Sequence, residues 1–146
     1  MNITTVLLCV LAILVLYLLY RKFQKTSTHP FFEMFDNTHP VIESLRMDLV
    51  KVLPRFATVK IIEGDQSYTL QKKKVFLCLK DKNTGQMYDK NMLTYVLLHE
   101  MAHVLNEKDI GHTPAFHKIF DELLEKAEKE GVYDPNLPLV EDYCPQ

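Results

Sequence analysis

Leu97-Leu98-His99-Glu100-Met101-Ala102-His103 is the stretch whose reading decides how this chain is built. On an α-helix, residues four apart stand one above the other, so His99 and His103 offer two imidazole nitrogens to one ion. Glu100, beside the first histidine, can reach a water on that ion rather than the ion itself. These are the parts of metal-assisted hydrolysis: a Lewis acid that brings the pKa of water to about 7, and a base that takes the proton and returns it to the leaving group. Zinc is the ion that suits such a site.

Working outward, Met92, Leu93, Val96, Leu97, Ala102, Val104 and Leu105 give the surrounding segment an apolar stripe at helical spacing, with Asp89 as its N-cap. Two histidines and a glutamate in an otherwise buried helix cost free energy without partners, and a metal is one such partner. Ordinary hydrogen-bonded core histidines are the alternative. A hydrolytic site wants a third protein ligand and one open position. Asp109, His112, His117 and Glu122 are the downstream candidates. Gly111-His112-Thr113-Pro114 reads as a turn into a helix, with Thr113 as N-cap and Pro114 at the first helical position. That places His112 at the mouth of the next helix, where a short reversal returns it toward His99 and His103. His112 is therefore the favoured third ligand.

His99-Glu100-x-x-His103 followed by Gly111-His112-Thr113-Pro114-Ala115-Phe116 resembles the WLM and SprT-like zinc metallopeptidases, minimal gluzincin-like domains. The resemblance covers roughly residues 75–124. It implies zinc on His99, His103 and His112, Glu100 as general base, and a protein or peptide substrate. The gap between His103 and His112 is longer than in most WLM members and nearer to the SprT-like pattern.

Ile3 to Tyr20 carries no charge, is apolar apart from two threonines, and is followed by Arg21, Lys22 and Lys25. Its length approaches the roughly 20 residues that cross a bilayer. The expectation is a transmembrane anchor, with the basic flank placing the remainder in the cytoplasm. Cys9, Cys78 and Cys144 are odd in number and scattered, with no disulfide framework, which suits a reducing compartment. His29-Pro30 and His39-Pro40 punctuate a linker, and neither histidine is favoured as a ligand.

Val41–Leu53 reads as an amphipathic helix ended by Pro54. Strands are expected at 57–62, 68–70 and 75–79, the last preceded by Lys72-Lys73-Lys74, which a solvated strand edge explains. In the peptidases this chain resembles, the strand before the active helix borders the cleft, so Phe76 to Leu79 are expected to help form the substrate shelf. Phe116, Ile119, Phe120, Leu123, Leu124 and Ala127 then follow helical spacing until Gly131. Tyr88, Tyr133 and Tyr143 are each possible donors to a developing oxyanion.

Residues 21–80 carry net charge +5 and residues 81–146 carry −7. An acidic half around the active helix argues against a nucleic-acid clamp. The expected fold class is α+β: a transmembrane helix over 1–20, a juxtamembrane linker over 21–40, one small zincin-like peptidase domain over 41–131, and an irregular tail over 132–146. The activity expected of it is zinc-dependent peptide-bond hydrolysis by a single-pass membrane protein. A non-enzymatic membrane adaptor with a structural metal is the rival reading.

Overall fold

A computed structural model describes Asn2, Thr5, residues 11–20 and residues 39–144. The chain divides into two compact units, Met1–Asn37 and Thr38–Gln146.

In the first unit, residues 11–20 are helical. Among the described residues, no helix is long and apolar enough to cross a membrane. This overturns the transmembrane anchor at Ile3–Tyr20 and the single-pass membrane placement. Several residues of that stretch, and the linker residues 21–38, lie outside the described residues.

The second unit is α+β. It begins with α1 (Pro40–Val52), whose N-cap is His39: the His39 Nδ1 accepts from the Val41 backbone N at 3.2 Å. Pro54 ends α1, but the residues after it form a 3-10 turn, Pro54–Ala57, rather than the start of a strand. Phe56 is wholly buried there, and the buried Arg46 of α1 donates through Nη1 to the carbonyls of Phe56 (2.9 Å) and Val59 (2.8 Å). Those bonds satisfy carbonyls that a strand would otherwise have paired.

Three short strands follow: β1 (Lys60–Glu63), β2 (Tyr68–Leu70) and β3 (Lys74–Leu77). Their order in the sheet is β1-β3-β2, with β1 parallel and β2 antiparallel to β3. The chain crosses the end of β3 at Gly64, whose N donates to the Leu77 carbonyl at 3.0 Å. A Cβ at that glycine would stand 3.2 Å from the Phe76 Cβ, so the crossing has little room for a side chain. Because β3 is paired along both sides, it offers no free edge. The substrate shelf expected at Phe76–Leu79 is corrected accordingly: the edge strands are β1 and β2.

Helices α2 (Lys90–Leu105) and α3 (Pro114–Lys129) complete the unit. Both start as their sequences predict. Asp89 accepts from the Met92 N at 2.9 Å, and Thr113 accepts from the Phe116 N at 3.3 Å with Pro114 behind it. Gly131 has φ +68 just past the end of α3, a conformation that glycine adopts without strain. Helix α2 is the centre of the core, packed against α1, α3, β2 and β3. Leu93, Leu97, Leu98, Met101 and Ala102 are at most 1% exposed. A helix surrounded in this way is apolar nearly all round, and His99 and His103 lie on the part of it that stays half-open.

The tail is irregular but tied down. Cys78, directly after β3, forms a disulfide with Cys144, which corrects the expectation of unpaired cysteines. Beside it, the Cys78 N donates to Ser67 Oγ (2.9 Å), and Ser67 Oγ lies 2.8 Å from the Tyr143 hydroxyl. That hydroxyl donates to the Cys78 carbonyl. Since Tyr143 gives its proton to the carbonyl, Ser67 gives its own to Tyr143, and the three groups close a ring of hydrogen bonds.

Candidate metal centre

Helix α2 supplies His99 and His103, one turn apart on its half-open part, and the buried Glu100 beside His99. His112 arrives from the loop after the helix, Asn106 to Thr113, which reverses the chain before α3. Its Nε2 stands 3.0 Å from the His99 Nε2. The three imidazoles form a near-equilateral triangle, with ring centroids 5.0 Å (His99–His103), 4.9 Å (His99–His112) and 5.0 Å (His103–His112) apart. One ligand atom from each lies within 4.8 Å of the others, so this group can hold a metal ion.

Phe116 is the floor of the triangle. It is 1% exposed, and its ring lies 5.0 Å from His99, 4.3 Å from His103 and 4.7 Å from His112. An apolar floor of this kind limits how far each imidazole can tilt and keeps water on one side. Burial, then the neighbouring His103, His112 and His117, pushes the His99 pKa down to about 4. His103 is also lowered, by burial first and then by His112 and Lys72. Both rings are held in the neutral form that ligates metals.

Glu100 is outside the ligand group. It is 6% exposed, and Thr69 on β2 holds it: the Thr69 hydroxyl is 2.7 Å from Glu100 Oε2 and 2.9 Å from the Glu100 carbonyl oxygen. Register explains the meeting. Thr69 lies opposite Val75, whose side chain is fully buried, so Thr69 shares the inward face of the sheet. Tyr68 and Leu70 take the other face, where Tyr68 stacks on Phe76 at 4.6 Å. Burial raises the Glu100 pKa and the Thr69 hydrogen bond opposes that rise.

The histidines and Glu100 open into a cleft of about 560 Å³, lined also by Ser67 to Thr69, Gln71, Lys72 and Asp109 to Gly111. Of the other sequence candidates, Asp109 lines the cleft but its carboxylate accepts from the Thr113 hydroxyl at 3.3 Å. His117 sits on α3 with its ring 6.3 Å from His112, outside the triangle. Glu122 is exposed on α3. None of the three tyrosines weighed as oxyanion donors lines the cleft. Tyr143, its pKa pushed up to about 12 mainly by burial, is spent on Cys78; Tyr88 accepts from the Cys144 N; Tyr133 packs on Tyr95. Thr69 and Lys72 are the residues that sequence reasoning passed over. Both meet the site from strand and turn positions whose facing is decided by β pairing.

No protein-family model matches this chain, and no solved structure matches it. An uncharacterized protein of Invertebrate iridescent virus 6 is 50% identical over 91 residues, 61% of this chain and 51% of that protein. A second, from Invertebrate iridescent virus 3, is 49% identical over 89 residues, 61% of this chain and 55% of the relative. An uncharacterized protein of Acanthamoeba polyphaga mimivirus is 47% identical over 55 residues, 37% of this chain and 27% of its own length. The chain spans about half the length of the first two relatives. None of these names carries an activity.

Proposed function

We propose that this chain is a zinc-dependent metallopeptidase of the WLM or SprT-like kind, with His99, His103 and His112 as ligands and Glu100 as general base. The observation that carries the reading is the division of labour in one cleft. Three imidazoles converge, while the buried carboxylate beside them stays out of the ligand group and is held by Thr69. A purely structural zinc site commonly fills its fourth position with protein and has no use for such a carboxylate. Three imidazole nitrogen donors with an open side suit zinc, whose catalytic sites carry three protein ligands.

Zinc bound there supplies a Lewis acid and brings the pKa of a coordinated water to about 7. With zinc in place, Glu100 would be the base of the site, accepting a proton at its carboxylate and returning it to the departing amine. Burial raises its pKa, the direction that helps a carboxylate hold a proton before releasing it. Thr69 aims one carboxylate oxygen, leaving the other for the reacting groups. Strand β2 forms one edge of the sheet and lines the same cleft, so an extended peptide can add to its backbone and lie across the histidines.

The test is metal content and proteolysis of the purified full chain as wild type, Glu100→Gln and His112→Ala. Near-stoichiometric zinc is expected in wild type and Glu100→Gln and is much reduced in His112→Ala, and only the wild type cleaves an unfolded protein substrate. Folded wild-type protein that takes up no zinc when zinc is supplied would sink the reading. Equal cleavage by wild type and Glu100→Gln would remove Glu100 from its role.

A further inference from the structure

We infer that Lys72 is a positioning residue for the metal centre: its ammonium, delivered by a left-handed turn between β2 and β3, clamps the loop that carries His112. The inference rests on the metal-site reading above and adds to it a residue outside the histidine motif.

Two independent features meet at Lys72. The first is its backbone. The turn closes when the Lys73 N donates to the Leu70 carbonyl at 3.1 Å, with φ +51 at Gln71 and +55 at Lys72. Two consecutive left-handed residues between antiparallel strands make the mirror-image hairpin turn that asparagine and glycine normally fill. Glutamine and lysine are strained there, and such strain persists where the surroundings over-determine it.

The second feature is what the side chain holds. The half-buried Lys72 ammonium donates to the Asn106 carbonyl and, at 3.0 Å, to the Asp109 carbonyl. Asn106 is the C-cap of α2, where the last carbonyls have no donor within the helix and the helix dipole is negative. Residues 106–113 form no helix or strand, so His112 has no element of its own to hold it. Within the loop, Asn106 Nδ2 reaches the Thr113 hydroxyl at 3.4 Å, and that hydroxyl donates to the Asp109 carboxylate at 3.3 Å. Lys72 is the group that ties this loop to the sheet, at its first residue and at its middle.

The sign of the effect separates a brace from a bystander. As a charge alone, an ammonium near the histidines opposes a divalent cation, and removing it tightens zinc binding. As a brace, removing it loosens His112 and weakens zinc binding. The experiment is the zinc affinity of the full chain, by competition with a chromophoric chelator, for wild type, Lys72→Gly, Lys72→Arg, His112→Ala and the double variant Lys72→Gly with His112→Ala. Thermal unfolding of each metal-free protein is followed in parallel. Lys72→Gly is expected to weaken zinc binding roughly 10–100-fold. Its metal-free unfolding midpoint stays level or rises, because glycine fits the left-handed turn. Lys72→Arg retains most of the affinity, and the double variant loses nothing beyond His112→Ala alone. Affinity in Lys72→Gly equal to or tighter than wild type, or full additivity in the double variant, would overturn the inference. Should Lys72→Gly fail to fold, Lys72→Met, which keeps the aliphatic stem, carries the same comparison. A wild type that binds no zinc removes the metal-site reading and this inference together. A zinc-binding wild type matched by Lys72→Gly removes this inference alone.

Discussion

Thr69 has one hydroxyl proton and two acceptors on the same residue, the Glu100 carboxylate and the Glu100 carbonyl. Its bond to Oε2 favours the charged carboxylate, so removing it makes protonation easier and raises the Glu100 pKa further. For Thr69→Val we expect zinc stoichiometry to be kept and the acidic limb of the activity profile to move to higher pH. Leaving a buried acceptor unpaired also costs about 1–3 kcal/mol of stability. A pH series of zinc-loaded wild type and Thr69→Val checks this, and an unmoved acidic limb would refute it. At this scale the sequence was legible wherever chemistry is local. His99, Glu100 and His103 are related by helix periodicity, and His112 by the cap signal of Thr113 and Pro114. Thr69 was not legible, because a threonine between Tyr68 and Leu70 carries no mark of which face it takes. Pairing with β3 decides that.

Elements carry the next level of control. Thr113 caps α3 and joins Asp109 and Asn106 in the loop before it, so one hydroxyl serves both the helix start and the His112 loop. Thr113→Ala is expected to lose about 1 kcal/mol of stability as a lost cap and to weaken zinc binding as well. Thermal unfolding with and without zinc reads the two effects separately: a stability loss with unchanged zinc affinity would show that the loop stands without Thr113. Helix positions followed directly from periodicity and caps, since both act within one or two turns. Strand roles did not. The strand that looks most apolar in sequence, β3, is the central one because it is paired on both sides, and the cleft falls to the shorter β2. The residues after Pro54 pack Phe56 into the core through a 3-10 turn, and the Phe56 carbonyl accepts from Arg46.

At the scale of the molecule, the Cys78–Cys144 disulfide closes the chain over a separation of 66 residues and fastens the tail behind β3. A cross-link over a loop of that size stabilises by roughly 4 kcal/mol in the chain-entropy account, chiefly by restricting the unfolded chain. Urea unfolding of the full chain is expected to shift by that amount on adding reductant, and Cys144→Ser is expected to match the reduced wild type and not respond to reductant. Zinc affinity should stay near the wild-type value, since neither cysteine lies among the cleft residues. A wild-type curve indifferent to reductant would refute the role of the bond. The sequence by itself determined the three helices of the second unit, the caps of α2 and α3, and the histidines and glutamate that share one site. Those features depend on neighbours within a few residues, or on a cap placed one loop away. Only the tertiary structure decided that β2 borders the cleft, that Thr69 and Lys72 reach the site, that Cys78 meets Cys144, and that no described helix is long enough to cross a bilayer. Each pairing joins groups that sequence patterns treat as independent, and they become neighbours only when strands choose their partners and a core closes around α2.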